Sequence, residues 1–83
     1  MNEVLPAAQG YPMKYAVVIE QVQSNYSAYV PDLPGCVATG TTVEDVEIQI
    51  LEAVEFPLDG IRQDGESIPP PRNSVGYVEV AVR

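Results

Sequence analysis

The sequence predicts a small α+β domain, an antiparallel sheet with one main helix packed on it, in the order β-β-β-α-β. Three observations carry that expectation. Apolar residues alternate with a period of two over residues 26–30 and 78–82, the spacing of strands that turn one face to a core, and 15–19 is a short β-branched run apolar on both faces. Residues 43–61 instead space their apolar side chains by three and four, the spacing of one face of a helix. Proline and glycine are concentrated between these stretches, where they act as punctuation.

Met1 to Pro12 holds two prolines, a glycine and no sustained period, so residues 1–12 are expected as a flexible lead-in and residues 13–83 as a single domain. Lys14 to Gln23, KYAVVIEQVQ, is rich in β-branched residues. It sets Tyr15, Val17 and Ile19 on one face and Ala16 and Val18 on the other, which predicts a central strand covered on both sides for part of its length. Gln23-Ser24-Asn25 turns the chain into a second strand, Tyr26 to Val30. Pro31 stops that strand because it has no amide hydrogen for a ladder. Asp32-Leu33-Pro34-Gly35 forms a corner, in which proline fixes φ and the aspartate accepts nearby amides. Cys36 to Thr39 returns as the third strand.

The helix is expected from Val43, with Thr41 and Glu44 at the spacing of a capping box. Glu44, Asp45 and Glu47 suit the positive end of its dipole. Pro57 is expected to kink it or end it near Glu55, and Asp59-Gly60 is the expected stop at the latest. Asp64-Gly65 marks a turn, and the three consecutive prolines at 69–71 make an extended connector. Val75 to Val82, VGYVEVAV, alternates again and predicts a final strand.

Eighty-three residues support one small core, with 46% hydrophobic residues. A chain of this size buries only about 60% of its unfolded surface, so a homo-oligomer, dimer or tetramer, is expected to complete it. Twelve acidic residues against Lys14, Arg62, Arg72 and Arg83 give a net charge of −8. That balance repels phosphate backbones and suits a basic protein partner. The single Cys36 has no second cysteine or histidine with which to form a disulfide or share zinc, consistent with a reducing, cytoplasmic setting. The N-terminus carries no positively flanked apolar run, so neither a signal peptide nor a membrane span is expected.

No catalytic residue, metal or cofactor is expected. Without histidine the commonest general base at neutral pH is missing, and Cys36 has no imidazole to make its thiolate. Glu20, Asp32, Asp64 and Glu79 are the carboxylates that a metal-dependent nuclease would need to gather, and nothing in their spacing brings them together. On the helix, Glu44, Asp45, Glu47, Glu52 and Glu55 read mainly as a solvated face whose summed field can steer a basic partner. Tyr26 and Tyr29 belong to opposite faces of one strand, so one of them needs cover from outside the core. Tyr29, with Asp32, Leu33 and Pro34 of the corner and Leu33 taken as exposed, is the first candidate contact patch.

The run Tyr29-Val30-Pro31-Asp32-Leu33-Pro34-Gly35-Cys36, followed by Gly40, Thr42 and Glu44-Asp45, resembles the HicB-like antitoxin family. So does the later Asp59-Gly60-Ile61-Arg62-Gln63-Asp64-Gly65-Glu66-Ser67-Ile68-Pro69. The resemblance covers about residues 15–82 and implies the partial ribonuclease-H-like fold of that family. It implies an antitoxin that covers the active site of a small basic HicA-type mRNA-cleaving toxin. Many members add a DNA-binding segment after this domain. Here the chain reaches Arg83 directly after its last expected strand, so direct DNA binding by this chain is not expected. The competing expectation is an orphan homo-oligomeric structural or regulatory protein with no toxin. A residual Mg²⁺-dependent nuclease ranks last, because fold likeness alone does not carry activity.

Overall fold

β1 (Val18–Val22) and β2 (Asn25–Tyr29) form an antiparallel hairpin, with Val22 opposite Asn25 and Val18 opposite Tyr29. The structure, a computed structural model, describes residues 13–83; the lead-in expected at residues 1–12 lies outside them. β3 (Val37–Gly40) pairs antiparallel with β2, placing Tyr29 opposite Val37 and Tyr26 opposite Gly40. The sheet order is β1-β2-β3, and α1 (Val43–Gln63) follows. This is the α+β arrangement expected.

The inner face of the sheet carries Ile19, Tyr26, Ala28 and Ala38, which α1 meets through Val46, Ile50, Ala53 and Val54. Val46 is fully enclosed at 0% exposure. Gly40 permits that contact. A Cβ built on it would lie 2.7 Å from the Val46 amide nitrogen and 2.9 Å from an Asp45 carboxylate oxygen, nearer than side-chain carbon tolerates.

The helix begins at Val43 as expected, but its cap is not the expected Thr41. Thr42 is the cap, its Oγ1 accepting the Asp45 amide at 2.9 Å. Asp45 in turn accepts the Thr41 amide at 3.0 Å, so the reciprocal bond comes from aspartate and Glu44 stays exposed. The helix does not end near Glu55 at Pro57: α1 runs through it and past Asp59-Gly60 to Gln63. Pro57 is exposed, so water can take the carbonyl bond that its ring denies the helix. The true end is a pair of back-bonds, Gly65 N–H to the Arg62 carbonyl and Glu66 N–H to the Ile61 carbonyl, with Gly65 at φ +74°. That motif needs a left-handed residue, and glycine takes the conformation without strain.

Two further expectations are corrected. Among the described residues β1 is an edge strand, not a central one, because none of their strands lies beyond it. The final strand expected at Val75–Val82 pairs with no strand among the described residues, and every residue from 71 to 83 is exposed. A strand exists only where another edge receives its amides and carbonyls. Here the chain leaves the domain after Asn73 instead of lying down along β1.

Candidate functional site

The corner between β2 and β3 is held by its own backbone. Leu33 N–H donates to the Val30 carbonyl at 3.1 Å, Cys36 N–H to Leu33 at 3.0 Å, and Val30 N–H to Cys36 at 3.2 Å. Two successive tight turns therefore roll Leu33 and Cys36 inward. Leu33 is 6% exposed and belongs to the core with Ala28, Val30, Cys36, Val46 and Ile50. The expectation of an exposed Leu33 is thus overturned: the corner's apolar tip is a core plug. Cys36 is buried as a free thiol, matching its reading as a small apolar residue. Pro34 is exposed.

Asp32 is committed to the C-terminal connector. One of its carboxylate oxygens accepts the backbone amides of Arg72 at 2.9 Å and Asn73 at 3.1 Å, and the other accepts Asn73 Nδ2 at 2.6 Å. The Arg72 amide bond, helped by those of Asn73, holds the carboxyl below its ordinary value of 3.8, against a weaker opposing push from desolvation. Beside it the Tyr15 hydroxyl donates to the Pro69 carbonyl. Desolvation, then the Asp32 charge, pushes that phenol above 10.0.

The linkage has a definite sign. A carboxyl whose folded pKa is depressed contributes stability above its unfolded pKa and loses it as pH falls through the folded one. The Arg72 and Asn73 amide resonances should therefore titrate together with a midpoint below 3.8, and Asp32→Asn should flatten both curves. Amides that stay invariant through that range in the unmodified chain would show that the anchor is absent.

Tyr29 lies on the other side of the sheet from Tyr26. It is 42% exposed and stands in a cross-strand row between Val18 and Val37, the last 63% exposed. A shallow depression lined by Ser27, Ala28, Tyr29, Val37, Ala38 and Thr39 adjoins the row. Sequence reasoning missed Val37; the signal was its position opposite Tyr29 in the return strand, which needs the register to be read. The expected patch of Tyr29, Asp32, Leu33 and Pro34 is therefore not one surface. Tyr29 and Pro34 are accessible, whereas Leu33 and Asp32 serve the fold.

The acidic residues sit elsewhere. Glu44, Glu47, Glu52 and Glu55 are exposed on α1, which covers the inner face of the sheet, so they and the Tyr29 row occupy opposite layers. Asp45 is drawn into the helix cap. Their field can act at long range but cannot frame the apolar row by contact. Among the described residues no group of three acids and cysteines is placed to hold a metal ion. Glu20 stands on β1, Asp64 caps α1, Glu79 lies in the exposed tail and Asp32 is bonded as above. No helix among these residues is long and apolar enough to cross a membrane.

A family model described as "HicB_like antitoxin of bacterial toxin-antitoxin system" matches residues 15–80. A protein of Haemophilus phage HP1, named an uncharacterized 14.9 kDa protein in the rep-hol intergenic region, is 37% identical over 57 residues. That match takes in 69% of this chain and 43% of the phage protein, so the chain spans less than half the length of that relative. A UPF0150 protein of Helicobacter pylori is 38% identical over 65 residues, 77% of this chain and 90% of its own. Another from Thermoplasma acidophilum is 36% identical over 58 residues, 69% and 84% respectively. No solved structure matches the chain significantly.

Proposed function

We propose that this chain, which belongs to the HicB-like antitoxin family of bacterial toxin-antitoxin systems, neutralises a small basic HicA-type mRNA-cleaving toxin in the cytoplasm by occupying its active-site face. It does so by obstruction and performs no chemistry of its own. The observation that carries this reading is an apolar cross-strand row, half-buried Val18 beside exposed Tyr29 and Val37, on a protein of net charge −8. Tyrosine at the centre of such a row supplies large contact area at low entropic cost. The negative field steers a cationic partner and raises its association rate. Glu44, Glu47 and Glu52 act through that field, and the sheet's outer face makes the contact.

Co-expression with the product of the neighbouring gene tests the reading. Tyr29→Ala combined with Val37→Asp should weaken the complex roughly 100-fold or more, as loss of a central anchor does. Neutralising Glu44, Glu47 and Glu52 to glutamine should slow association and flatten its salt dependence while leaving dissociation almost unchanged. A complex that survives the Tyr29 and Val37 substitutions intact would remove the outer face from consideration.

The competing reading, a homo-oligomeric regulatory protein with no toxin, draws support from one specific feature, the exposed apolar tail at 75–82. Absence of any toxin-like gene beside this one would favour it.

A further inference from the structure

We infer that residues 75–82 of one chain complete the sheet of a second copy by pairing along the free edge of its β1, and that the exchange is reciprocal in a two-fold dimer. The inference does not depend on a toxin. It starts from a mismatch within the fold: the run Tyr15 to Ile19, which leads into β1, is apolar on both faces, but among the described residues β1 is an edge strand. α1 lies over β2 and β3 and hardly meets β1. Tyr15, Val17 and Ile19, with Val54 and Leu58, are consequently only half-buried around the core. The opposite edge has no such opening on its inner side, because Gly40 on β3 is packed against the α1 backbone at Val46. One more strand beside β1 would close the side that is open.

The tail has the properties that strand needs. Val78, Val80 and Val82 fall on one face of an alternating run and are 88%, 69% and 86% exposed. An unpaired alternating apolar segment of this kind is a template for pairing with another chain. Its root is fixed, since Asp32 binds Arg72 and Asn73 at the corner. Beyond that point the chain leaves its own domain: the radius of gyration is 14.5 Å, with a long axis of 53 Å, where a compact chain of this length would have about 12 Å.

Area also suffices. A ten-residue tail of roughly 1.1 kDa exposes about 1.45 Å² per dalton, so burying half of each of two tails removes on the order of 1,600 Å², the size of a standard stable interface. Reciprocal pairing leaves no open β1 edge in either copy, as closed two-fold symmetry requires.

The test uses the full chain alone. Sedimentation equilibrium should give about twice the 9.0 kDa chain mass, with slow hydrogen exchange at the amides of residues 76–82. Val80→Pro removes a ladder donor, and Val78→Asp places a charge on the buried face. Each should weaken the dimer roughly 100-fold or more and release those amides to fast exchange. Both side chains are largely exposed in their own chain, so the helical circular dichroism should persist in the variants. A monomeric wild-type chain overturns the inference, whether its tail amides are free or are protected by folding back onto their own β1. So does a dimer that survives both substitutions.

Discussion

Leu33→Asp should abolish cooperative folding. The side chain is 6% exposed and packs with Val30, Cys36, Val46 and Ile50, so an aspartate there would be a buried charge without a partner. Even Leu33→Ala, which introduces no charge, should cost about 2–5 kcal/mol through lost transfer energy and the cavity it leaves. A domain of this size has a total stability of only about 4–12 kcal/mol, so the alanine variant sits near the threshold and the aspartate variant beyond it. Pro34→Ala, one residue on and exposed, should change stability by no more than about 0.5 kcal/mol. Thermal unfolding followed by circular dichroism reads all three. An aspartate variant that melts with the wild type would mean that Leu33 is not a core residue. Loss of toxin binding in a Leu33 variant therefore reports on folding, and the outer-face residues Tyr29 and Val37 are the sound probes of contact.

Gly40→Ala should lower the melting temperature by about 5–20 °C. Its Cβ would meet main-chain atoms, the Val46 nitrogen at 2.7 Å and the Val46 Cα at 2.9 Å, and main chain cannot swing aside as a long side chain can. Either the start of α1 lifts or β3 shifts, at the cost of about 1–3 kcal/mol typical of overpacking, and in a domain of this size each kcal/mol moves the midpoint by about 4–8 °C. Gly60→Ala is the matched control. It lies within α1 with open space around it, so alanine should stabilise the helix by up to about 1 kcal/mol. Equal responses at the two glycines would contradict the close strand-to-helix approach at Gly40.

The parts of the fold that could be read from the chain are those whose signal is local and periodic. The hairpin follows from alternation on either side of Gln23-Ser24, and α1 follows from its three-four spacing. The misreadings occur where a local rule has two solutions. Thr41 with Glu44 and Thr42 with Asp45 both satisfy the capping spacing, and only the close fit of Gly40 against Val46 decides for the second. Pro57 would break a helix on paper, but its effect depends on solvent access at that turn. Leu33 carries no period at all, because it lies in a corner, and its inward direction comes from the hydrogen bonds to Val30 and Cys36. The tail's alternation was visible, whereas its departure from its own β1 edge was not. Of the candidate site, Tyr29 was legible from strand alternation. Val37 required the pairing register, which only the assembled sheet supplies.

The anchorage of the connector bears on the order in which the molecule assembles. The Tyr15 to Pro69 and Asp32 to Asn73 bonds join residues 54 and 41 positions apart, whereas the β1-β2 hairpin closes across a two-residue turn. Loop-closure entropy grows with that separation, and contacts between distant positions are the slow ones to form. Hairpin and helix can thus nucleate early, with the proline-rich connector docking last. A nascent chain would hold its tail unattached until the corner carrying Asp32 had already taken shape.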